Sequence, residues 1–328
     1  MTRKVFVDSD TGVDDALALM LLAAAPEVEV LAVGSVFGNC HADRAADNAR
    51  YVLDTCARPD IPVYRGSDAP LGQELRLSGG IHGEDGFGNT GLRPAEPVPG
   101  EPDAVSVLSD LVERHPGQIH YLALGPLTNL ARALQQDPRL MDRLASVTIV
   151  GSLGPALHGD TEPWADRRFR ISRDPNVAFD FTAARIVADT PGPMTWCGPY
   201  VTRQCLVPEQ YFTGIAERTG HEPARLIARI SEYYADFYTR SYPQPGGARV
   251  MGINDSLAAA CLLYPELMLG AVERVMETFE TPEGERYLAG VHVRPDDPRP
   301  VHRVVFDVDF DAVISLAGET LERPLPWT

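Results

Sequence analysis

The sequence is short of positive charge, has a single lysine, carries no closely spaced cysteine pair and contains no long apolar run. Its 29 Lys and Arg face 46 Asp and Glu, which gives a formal net charge of -17 and a pI near 4.8. A field of that sign repels phosphate backbones and anionic lipid, so general nucleic-acid or membrane-surface binding is excluded. A small anion held in a local basic pocket is not. Lys4 is the one lysine; the other 28 of the 29 basic residues are arginine.

Cys40, Cys56, Cys197, Cys205 and Cys261 are odd in number, far apart and never form a CxxC pair, which argues for reduced thiols instead of a disulfide framework or zinc site. The longest apolar run, 16–25, is about half of the ~20 residues needed to span a bilayer. The opening residues run straight into an apolar strand with no signal-peptide pattern, and a cytoplasmic protein is expected. With 328 residues, 44% hydrophobic and 23% charged, the composition is that of a globular protein of one large or two smaller domains.

What is present is alternation. Strands are expected at 4–8, 28–37, 61–66, 118–124, 146–151, 193–197 and 301–308. Helices are expected at 14–25, 41–57, 103–114, 127–135, 174–188, 223–240 and 254–263. This order predicts an α/β fold, an open, mostly parallel sheet flanked by helices, as a single domain over 1–328 with 200–250 a helical flap. A glycine-rich loop, Ser78 to Gly91, is too long for a simple connector. Open parallel sheets bind ligands outside the carboxyl ends of their strands, which directs attention to residues 8–15, 37–40, 124–129 and 151–160.

At the first of these ends, DSDTGVDDA places Asp8, Asp10, Asp14 and Asp15 around a turn glycine. Carboxylates this close repel, and a helix N-terminus offsets only about 1 kcal/mol per group. A hard divalent cation with oxygen ligands, Ca²⁺ or Mg²⁺, is the natural remedy. The plainer alternative is that Asp14 and Asp15 cap the next helix and Asp8 closes the strand.

Asp-x-Asp after a first strand, with Asn254-Asp255 downstream, is shared with haloacid dehalogenase-like phosphatases, in which Asp8 would be the nucleophile. Gly12 and the position of Lys4 ahead of the strand do not suit that family. DSDTGVDDALAL resembles more closely the signature of the nucleoside hydrolases, the inosine-uridine-preferring N-ribosyl hydrolases. The likeness continues through VFGN (36–39), GIHGEDGFG (80–88), LGPLTNLA (124–131), VTIVGS (147–152), DPNVAFDF (174–181) and NDSLAAACLLYP (254–265), in order and across nearly the whole chain.

The resemblance implies a nucleoside hydrolase fold with a Rossmann-like core and Ca²⁺ as cofactor, held by Asp10, Asp15, the carbonyl of Leu124 and Asp255. It implies that the ion also holds a water and the ribose 2′ and 3′ hydroxyls, with Asp10 as general base. Cleavage of the N-glycosidic bond would pass through an oxocarbenium-like state. Asp14 and Asn39 would hydrogen-bond the ribose. The implied partner is a small riboside or ribotide, and the implied assembly a homodimer or homotetramer.

Two features depart from the family pattern. Where Glu-x-Asn usually grips the ribose and its 5′-hydroxyl, this chain has Arg168 and Arg170, which points to a substrate anionic at or near the 5′ end. Where His often protonates the leaving base, this chain has Asn254, which can hydrogen-bond the base but not protonate it. His82 is the candidate acid in its place, with His158 and Tyr242 behind it. Trp164, Trp196 and Phe87 could stack a base, whereas Tyr233, Tyr234, Phe237 and Tyr238 have the spacing of a buried helix face. The alternative of another class is a ribosyl-ligand binding protein that kept the metal site and lost turnover.

Overall fold

Along the first strand, β1 (Arg3–Ser9), Val5 and Val7 enter one apolar layer and Phe6 the other, the period-two alternation of a strand covered on both faces. The computed structural model describes residues 2–155, 174–281 and 284–327. In chain order the strands that follow are β2 (Val28–Ser35), β3 (Val63–Tyr64), β4 (Ile119–Ala123), β5 (Leu144–Val150) and β6 (Met194–Cys197). After them come a short ribbon of β7 (Leu206–Pro208) and β8 (Val250–Gly252), then β9 (Gly270–Glu280), β10 (Arg286–Val291) and β11 (Val301–Asp307).

Among the described residues the main sheet has nine strands in the order β10-β9-β11-β6-β5-β4-β1-β2-β3. From β11 to β3 all neighbours are parallel, whereas β9 runs antiparallel to both β11 and β10. The mostly parallel sheet is therefore as expected, and the antiparallel edge is an addition. The chain moves outward from β1 to β3 and then returns to build β4, β5 and β6 on the other side of β1. That reversal puts a topological switch point between β1 and β4, where the loops leaving the two strands diverge and open a crevice.

Helices α1 (Val13–Ala24) and α2 (Ala42–Thr55) follow β1 and β2. A short turn, α3 (Gly79–His82), lies in the glycine-rich loop, and α4 (Ala104–Arg114) and α5 (Thr128–Gln136) flank β4. All twelve residues of α1 are buried, because α1 is covered by helices of the C-terminal half. The apolar run at 16–25 is thus a core helix, and among the described residues no helix is long and apolar enough to cross a membrane. All five cysteines are free and buried.

The helix expected over 174–188 is two, α6 (Pro175–Phe179) and α7 (Phe181–Ala188). Asp180 separates them: its Oδ1 accepts from Ala183 N–H to cap α7, while its Oδ2 takes Thr128 Oγ1 and Leu71 N–H. Beyond β6 come α8 (Pro199–Thr202), α9 (Glu209–Thr219), α10 (Glu222–Ser241), α11 (Asn254–Leu263) and α12 (Phe310–Glu322). Helices α1, α10, α11 and α12 share one apolar layer with Val5 and Val7; α4, α5 and α7 share the other with Phe6.

Candidate active site

The switch point gathers the chemistry. Loop 10–12 leaves β1, and Asp15 ties it down: its Oδ2 accepts from Gly12 N–H (2.9 Å) and Asn39 Nδ2 (3.1 Å), and its Oδ1 from Ser9 Oγ (2.7 Å). Part of the plainer alternative is therefore real, since Asp15 does cap α1. It is not the whole account. One oxygen each of Asp14, Asp15 and Asp255 lie within 4.8 Å of one another, and all three residues are buried. Asp255 comes from the first turn of α11, far along the chain. Asp10 joins them, with its Oδ2 accepting from Asn39 N–H (2.9 Å).

Burial pushes the Asp10 carboxyl well above its ordinary value, and the charges of Asp15 and Asp14 push it further. Asp255 is raised well above its ordinary value by burial and then by Asp14, Asp15 and Asp10. Asp14 is raised by burial, partly offset by His82. Among the described residues none of the four has a lysine or arginine ion-pair partner; His82 Nδ1, 3.9 Å from Asp14 Oδ1, is the one basic neighbour. Buried acids without a lysine or arginine partner among the described residues fit a hard cation, so the group of Asp14, Asp15 and Asp255, with Asp10 beside it, can hold a metal ion.

The carbonyl of Leu124, at the end of β4, faces the same cavity but already accepts from Asn176 Nδ2 (2.6 Å), which also reaches Val150 O (2.9 Å). Asn176 thus spans the ends of β4 and β5. A carbonyl has a second lone pair, so Leu124 O keeps a place for another partner. Asn39 lines the cavity beside Asp10 and Asp14. Arg168, Arg170, His158 and Trp164 lie outside the described residues.

The opposite wall is aromatic. Tyr234 and Tyr238, whose spacing suggests a core face, are indeed buried, yet with Phe237 they also line the cavity. Trp196 and Phe87 are fully buried in the core and do not line it. His82 stacks on Tyr234 at 4.7 Å between ring centres. Val13 N–H donates to His82 Nδ1 (3.2 Å), which places the proton of the neutral imidazole on Nε2; burial pushes the group below its ordinary value, partly offset by Asp14 and Asp15. Asn254 Nδ2 stands 2.7 Å from Asp14 Oδ2, 2.8 Å from the Tyr238 hydroxyl and 3.1 Å from that of Tyr234, while its Oδ1 is buried without a partner.

Arg203, Asp174 and Asn176 also line the cavity, and the sequence reading assigns none of the three a role. Arg203, at the end of α8, donates from Nη1 to the Tyr242 hydroxyl (2.6 Å) and faces the charge of Asp174. Asp174 caps α6 through Val177 N–H, its carboxyl is pushed by burial up to about 6, and its Oδ2 has no hydrogen-bond partner. Asn176 is the third. The rule of inspecting strand ends, extended to β6, leads directly to residues 198–203 and would have found Arg203.

Gly12 shows how tightly the loops meet. A Cβ there would stand 2.6 Å from both Asn39 Nδ2 and His82 Nδ1. Gly12→Ala is therefore expected to lower kcat about 100-fold by displacing both side chains; an unchanged kcat would show that their placement does not matter.

The family model described as inosine-uridine preferring nucleoside hydrolase matches residues 5–315. The chain belongs to this family. This nucleoside hydrolase is 32% identical to the inosine-uridine preferring nucleoside hydrolase of Crithidia fasciculata, over 98% of each chain. It is 30% identical to a pyrimidine-specific ribonucleoside hydrolase of Photobacterium profundum, over 98% of this chain and 99% of that one. A solved plant nucleoside hydrolase superposes with a TM-score of 0.85 at 27% identity, covering 99% of this chain and 100% of that one.

Membership makes this nucleoside hydrolase an enzyme that hydrolyses the N-glycosidic bond of a riboside. The phosphatase alternative falls, and the geometry agrees. Asp8, its required nucleophile, is 1% exposed, with Oδ2 taken by the Tyr121 hydroxyl (2.5 Å) and Oδ1 by Asn129 Nδ2 (2.7 Å).

Proposed function

We propose that the enzyme hydrolyses a ribonucleoside or related riboside with Ca²⁺ as its resident ion, held by Asp10, Asp15, Asp255 and the Leu124 carbonyl, with Asp14 beside them. The observation that carries this reading is the buried trio Asp14, Asp15 and Asp255 with Asp10 beside it, none of the four having a lysine or arginine ion-pair partner among the described residues. When bound, the ion supplies positive charge to the carboxylates and the ribose diol and acidifies a water.

The protein's own groups do the rest. Asp10, oriented by Asn39 N–H, takes the proton of the attacking water. Asp14 and Asn39 accept from and donate to the ribose hydroxyls. As positive charge develops at the anomeric centre, the surrounding carboxylates stabilise it. Neutral His82 presents Nε2–H as a hydrogen-bond donor to the departing base, and Asn254 presents an acceptor. Residues 200–250 act as the flap of a single-domain enzyme, with α10 bringing Tyr234, Phe237 and Tyr238 against the base. Release of free sugar from a panel of ribosides, abolished by chelator and restored by Ca²⁺, is the expected result; tight binding without release would overturn it.

The reading extends to a substrate with an anionic group at or near its 5′ end, met by Arg168 and Arg170. Its support is the pair of arginines in place of Glu-x-Asn, together with the half-buried Arg203 in the described cavity wall. Ribose 5-phosphate is expected to raise the melting temperature of the Ca²⁺-loaded enzyme more than ribose does. Equal shifts would remove the anionic group from the proposal.

A further inference from the structure

The glycine-rich segment that carries His82 is built as a closed ring. Asp85 Oδ1 accepts from the N–H groups of Phe87 (2.8 Å) and Asn89 (2.9 Å), and its Oδ2 from Gly91 N–H (2.9 Å). Gly88 N–H returns to the His82 carbonyl (2.7 Å). Such a ring moves as a unit, so where His82 stands depends on what fastens the ring to the rest of the protein.

Two bridges fasten it to the acidic loop. One is His82 itself, accepting from Val13 N–H. The other is Asn48 on α2. Its Nδ2 donates to Thr11 O (3.0 Å), between Asp10 and Gly12, and to Asp85 O (2.9 Å), in the ring. An amide nitrogen has two hydrogens, and these two carbonyls match them. Arg44, one turn earlier on α2, supports the same seam through Asp85 O (3.1 Å) and Leu92 O (2.6 Å).

Asn48 is fully buried, and its Oδ1 has no partner. Burying an amide with an unsatisfied oxygen is a cost that an apolar residue of similar shape avoids, so packing alone does not account for asparagine here. The second bridge does. No other side chain seen at this seam donates to both loops.

We propose that Asn48 is a positioning residue that sets the distance between the His82 ring and the Asp10–Asp15 loop, and so holds Nε2–H of His82 over the leaving base. The inference rests on the role given to His82 above. Without Asn48 the ring keeps its internal bonds but loses its register against Asp14.

The test is a double-mutant cycle on the Ca²⁺-loaded enzyme, using the riboside it hydrolyses fastest. Asn48→Ala is expected to lower kcat about 10- to 100-fold with a much smaller change in KM, and to speed hydrogen exchange in 79–91. In a His82→Ala background the same substitution is expected to cost less than about threefold, because the group it positions is already gone. Losses of equal size in both backgrounds, or wild-type kinetics for Asn48→Ala, would overturn the proposal. His82→Ala turning over like the wild type would overturn the role of His82 itself, and the single variant shows this separately. Asn48→Ser, which keeps one donor in a small side chain, is expected to give an intermediate loss with the same non-additivity and serves if the alanine variant does not fold.

Discussion

Replacing Asp10 by asparagine is expected to lower kcat by about 10²- to 10⁴-fold while raising the melting temperature of the metal-free protein. The substitution keeps an oxygen for the Asn39 N–H bond, so the loop geometry survives. It removes the base proposed to take the proton from water. It also removes one of four acids that repel one another in a buried site, where burial and the charges of Asp15 and Asp14 already hold the Asp10 carboxyl well above its ordinary value. One change thus slows the enzyme and relieves its metal-free form. Kinetics at saturating Ca²⁺ and melting in chelator measure the two effects separately. Turnover within threefold of wild type would place the base elsewhere; a lower melting temperature in chelator would mean that the carboxylate has a stabilising partner.

Chelation is expected to abolish turnover and to give the protein a steeper pH slope than the loaded enzyme has. Asp10, Asp14 and Asp255 all have folded pKa values raised above the ordinary 3.8. Groups of this kind contribute stability that is fully present below 3.8 and lost as pH rises through the raised values, because the folded state binds more protons than the unfolded one. Metal-free protein should therefore melt higher at pH 5 than at pH 8. Ca²⁺ requires the ionised carboxylates, so its affinity should fall toward acid pH and its stabilising effect should be greatest near pH 8. Asp8, raised by burial to about 7, and Asp174, raised to about 6, leave a residual slope in both forms. Parallel melting curves with chelator and with Ca²⁺ across pH 5 to 8 would show that the ion does not bind these carboxylates.

The parallel half of the fold was legible because β1, β2, β4 and β5 are short apolar runs, each ending in a polar or glycine-rich loop. Strands β9 and β10 were not. In β9, Glu273, Arg274, Glu277 and Glu280 interrupt the apolar pattern, and the alternation is muted because much of the strand, next to the edge strand β10, is only half-buried. The break at Asp180 depends on Thr128 and Leu71, which are distant in sequence. In the site, Asp10, Asp14 and Asp15 announce themselves by adjacency, and Asp255 by its motif. Arg203 carries no local mark among 28 arginines, and Asn48 is an ordinary polar residue of an amphipathic helix until Thr11 and Asp85 are seen on either side of it.

The antiparallel edge has a consequence for how such an enzyme can diversify. Leu153 N–H donates to Leu288 O and Gly290 N–H to Gly154 O, so the segment leaving β5 toward Arg168 and Arg170 is stitched at its root to β10. The acids proposed to perform hydrolysis hang instead from the loop after β1 and from the start of α11. On the roles proposed above, reaction and selectivity are rooted in separate parts of the sheet. Under that proposal, drift in the β9–β10 hairpin can retune which riboside is accepted while the acids after β1 and on α11 inherit no change.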